Sequence, residues 1–157
     1  SEKREINRNA NDVQIYGVDN LLTVIAGCCQ PVPGEPISGY ITQGRGVSIH
    51  RQDCNNLKGL EKSSPERIID VSWGKNTIEN YPINLYIQAS DRKDLMQDIN
   101  KEIGNEPARL IGMNMNLNQQ EQTIDINVTV EIRNLNDLGR LISKISNVRN
   151  VIHVSRQ

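Results

Sequence analysis

The sequence predicts an α+β protein built from two modules, and three observations predict it. From Tyr81 onward, apolar residues alternate at strand spacing or recur at helical spacing in the order strand–helix–strand–strand–helix–strand. Before that point the apolar stretches are short and are interrupted by the turn-forming segments "PVPGEP" and "GRG". The chain holds no Phe and 3% aromatic residues, so its cores must be assembled from Ile, Leu and Val. A length of 157 residues suffices for one medium domain or two small ones.

Residues 1–12 are polar and read as a disordered segment or linker. The start lacks a Met and resembles no signal peptide, which suggests a piece of a longer protein. The first module spans residues 13–75. Val13 to Tyr16 reads as a short strand, and "NLLTVIAGCC" as an apolar segment that is strand or helix. "PVPGEP" must be a turn, because proline removes donors and fixes φ. Ile37 to Thr42 alternates as a strand, "GRG" turns the chain, and Val47 to His50 returns. "RQDCNNLKGL" starts a short helix with Asp53 near its N-terminus, "LEKSSPER" connects, and Ile68 to Trp73 is one further strand. Trp73, beside Gly74 at the end of that strand, is expected to be a core anchor between the modules rather than a nucleotide stacker.

The second module spans residues 80–157. Ile83, Leu85, Ile87 and Ala89 alternate with polar residues, giving a strand with one buried face. Asp91 is expected to cap a helix whose apolar positions are Leu95, Met96, Ile99 and Ile103, with Gly104 and Pro107 stopping it. Ile111, Met113, Met115 and Leu117 form the second strand, "NQQEQ" a hairpin loop, and Ile124 to Ile132 the third strand. Leu138, Leu141, Ile142, Ile145 and Val148 share a helical face behind Asn136 as a cap, and Val151 to Ser155 closes the sheet. This is the ferredoxin-like βαββαβ order. The Met-bearing strand and the last strand are expected at the edges, where pairing with a second copy would cover them.

Composition excludes several classes. No run approaches the roughly 18 apolar residues needed to span a bilayer, so no membrane role is expected. Three cysteines, two of them adjacent, do not make a secreted disulfide framework, which favours a reducing cytoplasm. A net charge of −1 signals no bulk affinity for nucleic acid, so any RNA contact needs a local basic spot.

Two constellations carry chemistry. Cys28, Cys29, His50 and Cys54 supply the four thiolate and imidazole donors that zinc takes. His50 and Cys54 are four apart, yet Cys28 and Cys29 are adjacent and in extended backbone would point to opposite faces. Both can reach one ion only from a tight turn, and free cysteines also pack well in small cores, so zinc, packing and a redox role all remain open. A catalytic nucleophile is disfavoured, because no third residue or oxyanion device accompanies His50. The second constellation is Arg45, set between two glycines at the hairpin tip. Its guanidinium can grip a phosphate or stack on a base, or can simply be solvated. Arg51, His50 and Lys58 add positive character nearby, and Tyr40 offers a stacking face.

The segments "LLTVIAGCCQPVPGEPISGYITQGRGVSIHRQDCNNL" and "PERIIDVSWG" closely resemble the conserved-cysteine module, also called zinc-finger-like or ribosome-intersubunit, of long RelA/SpoT proteins. "TIDINVTVEIRNLNDLGRLISKISNVRNVIHVSR" resembles the ACT domain that ends them, on the RelA side of the family. The resemblance implies a non-catalytic, regulatory C-terminal fragment of a stringent-response GTP pyrophosphokinase. Its expected partners are the ribosome, through large-subunit rRNA and beside an uncharged tRNA, and the N-terminal enzymatic half that makes (p)ppGpp during amino-acid starvation. It makes Arg45, with His50, Arg51, Lys58 and Tyr40, the expected RNA contact, and a homodimer through the ACT sheet an expected assembly. The alternative is an amino-acid-sensing, self-associating ACT regulator. Many ACT domains bind amino acids at a D-R-x-G-L turn; here "DRKDL" runs from Asp91 to Leu95, with Asp94 where glycine is usual. An aspartate there crowds and repels a ligand carboxylate, so sensing at Asp91 and Asp94 is disfavoured.

Overall fold

The computed structural model describes residues 13–15, 22–44, 46–74 and 80–157. The expected linker, residues 1–12, lies outside the described residues, as do Tyr16 and Arg45. The chain divides into two compact units, Ser1–Ile78 and Glu79–Gln157.

In the first unit the described elements are β1 (Val13–Ile15), β2 (Thr23–Ile25), β3 (Ile37–Ile41), β4 (Val47–Arg51), α1 (Asn55–Ser63), β5 (Ile68–Ile69) and β6 (Val71–Trp73). Four of the strands form a sheet in the order β2-β4-β3-β5, and β1 pairs with β6 in a separate ribbon. Of the ambiguous "NLLTVIAGCC" segment, Asn20 and Leu21 lie outside the described residues, Thr23–Ile25 is β2 and residues 27–29 are a turn; β2 runs parallel to β4 with Thr23 opposite Val47 and Ile25 opposite Ile49. Expected as one strand, Ile68 to Trp73 is two: β5 pairs with β3, and β6 leaves that sheet to pair with β1. The connector before it contains a 3-10 turn, Pro65–Arg67, where proline at the first position suits a helix start. Two small apolar clusters result, one of Val13, Ile37, Val47, Ile49 and Val71, the other of Ala26, Cys29, Cys54 and Leu57. Trp73 packs against the first cluster and donates its indole N–H to the Glu35 carbonyl at 3.0 Å.

The β3–β4 hairpin closes through Thr42, whose backbone N–H and hydroxyl both donate to the Gly46 carbonyl at 2.9 Å. Gly46 has φ of +87°, and a Cβ there would meet the Leu22 carbonyl oxygen at 2.1 Å. Only glycine fits, because the left-handed backbone and the passing chain both exclude a side chain. Gly44 also has positive φ, +83°, but a Cβ there would meet nothing within 4 Å. Gly44 is accordingly exposed.

The second unit comprises β7 (Tyr81–Ser90), α2 (Leu95–Gly104), β8 (Ala108–Asn118), β9 (Thr123–Ile132), α3 (Leu135–Ser146) and β10 (Val151–Arg156). The strands form an antiparallel sheet in the order β10-β7-β9-β8, so the Met-bearing strand and the last strand are its edges. Alternation is strict in the centre: Tyr81, Ile83, Leu85, Ile87 and Ala89 of β7 and Ile124, Ile126, Val128, Val130 and Ile132 of β9 are buried. Leu95, Ile99 and Ile103 of α2, with Leu138, Leu141 and Ile145 of α3, supply the buried helical positions of this unit.

Both expected helix caps are displaced. Asn134, not Asn136, caps α3, accepting a hydrogen bond from the Asp137 N–H at 2.9 Å. At α2 the N-cap position belongs to Asp94, in left-handed backbone with φ of 64° and no side-chain cap bond. Asp91 instead extends the central β7–β9 ladder past Ser90, its N–H donating to the Gln122 carbonyl at 3.0 Å. Edge strand β8 keeps its apolar row in the open: Met113, Met115 and Leu117 lie opposite Val128, Ile126 and Ile124 on the apolar face, yet are 39%, 49% and 53% exposed.

Candidate functional site

The loop after β2 solves the problem of adjacent cysteines. Residues 27–29 form a turn, closed by the Gln30 N–H donating to the Ala26 carbonyl at 3.1 Å, with Gln30 in left-handed backbone at φ 48°. Strand β4 brings His50 alongside, and Cys54 sits at the N-cap of α1. The donor atoms of Cys28, Cys29, His50 and Cys54 all lie within 4.8 Å of one another. From Cys28 Sγ to His50 Nδ1 is 3.4 Å, from Cys28 Sγ to Cys54 Sγ 3.7 Å, and from Cys29 Sγ to His50 Nδ1 3.8 Å. A tetrahedron with metal–sulfur bonds near 2.3 Å and a metal–nitrogen bond near 2.0 Å has edges of roughly 3.5–3.8 Å. The donors thus surround a space of the size a tetrahedral ion occupies, and they could hold a metal.

The surroundings favour ligation. His50 is 6% exposed, and burial holds its imidazole below the ordinary value of 6.5, hence neutral. Its Nε2 lies 2.8 Å from Ser48 Oγ. With Nδ1 toward the cysteines, Nε2–H donates to that hydroxyl and fixes the ring, the usual outer partner of a metal-binding histidine. The Arg51 N–H donates to Cys29 Sγ at 3.3 Å. In the metal-free cluster, burial pushes the Cys29 thiol up to about 12. Burial also pushes Cys54 upward, but the N–H dipoles of Leu57 and Asn56 and the thiols of Cys28 and Cys29 outweigh it and hold Cys54 below its ordinary value. Its sulfur closes no formal cap bond, so the helix start acts on it as a field rather than as one hydrogen bond.

The five residues expected to touch RNA are placed differently from one another. Arg45 lies outside the described residues, between Gly44 and Gly46 of the hairpin tip. His50 is buried among the cysteines and so turns away from the surface. Tyr40 is half-buried against the Ala26–Leu57 cluster, which leaves only part of its ring for stacking. Arg51 is held between Glu35 at 3.8 Å and Asp53 at 3.4 Å. Lys58 is exposed on α1, at the rim of a shallow cavity of about 420 Å³ that it lines with Glu35, Pro36, Gln52 and Asp53. Glu35, near this face, carried no sequence signal beyond its charge, and Asp53 was legible only as an acid near the start of α1.

At the start of α2, a shallow cavity of about 370 Å³ is lined by Asp91, Leu117, Gln119 and Gln122, and the neighbouring Arg92 is held internally. Arg92 donates to the Arg149 carbonyl at 3.1 Å, to the Lys93 carbonyl at 2.9 Å and to Asp98 Oδ2 at 2.8 Å. Among the described residues no helix is long and apolar enough to cross a membrane.

Comparison with known proteins agrees with this division. Residues 13–74 match the RelA/SpoT RIS domain, and residues 77–156 match the ACT domain. A GTP pyrophosphokinase of Escherichia coli K12 is 42% identical over 92% of this chain and 19% of its own length. That of Photobacterium angustum is 40% identical with the same coverage. A bifunctional (p)ppGpp synthase/hydrolase RelA of Mycobacterium tuberculosis is 32% identical over 95% of this chain and 20% of its own. The chain spans about a fifth of the length of these relatives. With one half matching the RIS domain and the other the ACT domain, the chain belongs to the RelA/SpoT family and corresponds to its C-terminal regulatory region.

Proposed function

We propose that this chain is the non-catalytic regulatory part of a stringent-response GTP pyrophosphokinase, docking on the ribosome and controlling (p)ppGpp synthesis by an N-terminal enzymatic half during amino-acid starvation. In this reading residues 13–75 face large-subunit rRNA beside an uncharged tRNA, residues 80–157 position them, and the whole acts in the cytoplasm. Zinc is the metal proposed for Cys28, Cys29, His50 and Cys54. It would staple the module, and His50 would serve it rather than RNA. The observation that carries the proposal is the hairpin tip: glycines on both sides of Arg45, with open space around Gly44, let a guanidinium approach a phosphate backbone closely. Lys58 adds a second cation, and Arg51 stays with its two carboxylates.

Co-sedimentation with ribosomes tests this. The wild-type chain should pellet. Arg45→Glu should reduce the bound fraction about tenfold with an unchanged circular dichroism spectrum, the effect of removing one charge-assisted hydrogen bond to phosphate. Equal pelleting of the variant would remove Arg45 from the interface.

The second reading, an amino-acid sensor that self-associates, divides in two. Sensing is opposed by Asp94 in left-handed backbone and by Arg92 held by the Arg149 carbonyl and by Asp98; titration calorimetry with branched-chain amino acids should show no heat, and micromolar binding would reverse the ranking. Self-association is supported by the exposed row Met113, Met115 and Leu117 on bare edge strand β8.

A further inference from the structure

We propose that Cys28 and Cys54 form a peroxide-oxidisable pair, a covalent modification site that closes into a disulfide and dismantles the metal site. The proposal uses the same cluster as the zinc reading but does not require that zinc bind. Three observations point to it. Cys28 is exposed, whereas Cys29 and Cys54 are 4% and 5% exposed, so a small oxidant in solvent meets Cys28 first. Cys54 Sγ lies 3.7 Å from Cys28 Sγ, and a bond of about 2.05 Å needs an approach of under about 2 Å. Cys28 stands in the turn after β2, beside Gly27, where an added Cβ would meet nothing within 4 Å, so the turn has room to make that approach. Cys29 is the poorer partner, because its sulfur accepts the Arg51 N–H and faces His50.

The oxidant class is a hydroperoxide. The Cys28 sulfur attacks one peroxide oxygen, the O–O bond breaks, and the leaving oxygen departs as water, or as an alcohol from an organic peroxide, leaving a sulfenic acid. The Cys54 sulfur then attacks the Cys28 sulfur, the S–O bond breaks, and a second water leaves. In total the two thiols give up two electrons and two protons, and hydrogen peroxide is reduced to two waters. The disulfide removes two of four metal donors, and Cys29 and His50 alone cannot complete a tetrahedral site. A thiol reductant reverses the step.

The test treats the chain with hydrogen peroxide in two states, reduced with chelator present and reduced after zinc loading, and maps disulfides by proteolysis and mass spectrometry. A Cys28–Cys54 linkage is expected in the chelated state, reversed by dithiothreitol and retained in Cys29→Ser. If the loaded state binds zinc, a colorimetric chelator should record its release at the rate the linkage forms. A linkage in a chain that takes up no zinc upholds the proposal while removing the zinc reading. Zinc binding with no Cys28–Cys54 linkage in either state removes the proposal and leaves the zinc reading standing. A predominant Cys28–Cys29 bond, an intermolecular bond, or Cys28 carried to sulfinic acid with Cys54 still reduced would also overturn it. The wild-type map decides without any cysteine variant having to fold.

Discussion

The two units bury their apolar residues in contrasting ways. In the second, two central strands and two helices each contribute side chains below a few per cent exposure, and most of them are Ile, Leu or Val. In the first, the described residues form two smaller buried clusters of five and four, and two of the latter four are cysteines. A chain segment that small seldom holds itself together by apolar burial alone, and the usual remedy is a disulfide or a metal. The contrast teaches that the cysteines stand where core residues are scarce. The second unit needs no such device, and its polar residues are spent on caps and surface pairs.

That contrast can be broken most severely by removing the staple. Chelation, or Cys54→Ser, should abolish bound zinc and lower the unfolding midpoint of residues 13–74 while leaving them folded at low temperature, because an ion held only by the folded form adds its binding free energy to stability. Hydrogen exchange should then show protection kept in residues 80–157 and reduced before them. Equal loss in both units would show that they fold as one. The converse is Leu141→Ala, at a side chain with 0% exposure. It should cost about 2–5 kcal/mol in the second unit, leaving zinc stoichiometry unchanged. Gly46→Ala should act only on the first unit. Its left-handed backbone and the Leu22 carbonyl make about 2–3 kcal/mol the expected loss in denaturant melts, against about 1 kcal/mol for Gly44→Ala, where the space is open. The smallest effect is on pH. In the metal-free chain the folded state resists protonating His50, whereas the unfolded chain accepts the proton near 6.5. The first unit should therefore lose stability as pH falls below that value, and the loss should vanish in His50→Gln.

The fold was largely legible because strict alternation survives in β7 and β9, where both neighbours are strands and one face is covered. The split between β5 and β6 was not, since local pattern cannot reveal that a strand changes partner after Ile69. Cap positions were missed for a related reason. Asn134 and Asn136 are equally good caps locally, and only the docking of Leu138 and Leu141 decides where the helix begins. For the site, the donor set was visible as residue types, but the turn that aims adjacent cysteines inward depends on the left-handed Gln30, a residue with no strong bias toward that conformation. His50 and Arg51 looked equally available as cations, and only packing shows one among thiols and the other between carboxylates.

The parallel pairing of β2 with β4 carries a kinetic consequence. The two strands are separated in sequence by the whole of β3 and its turns, so β4 gains its neighbour β3 through a local hairpin long before β2 can return across that loop. Cys28 and Cys29 travel with β2, whereas His50 and Cys54 are already in place on the hairpin side. Half of the donor set therefore waits for the other half, and the four-donor cluster is complete only once β2 has docked on β4.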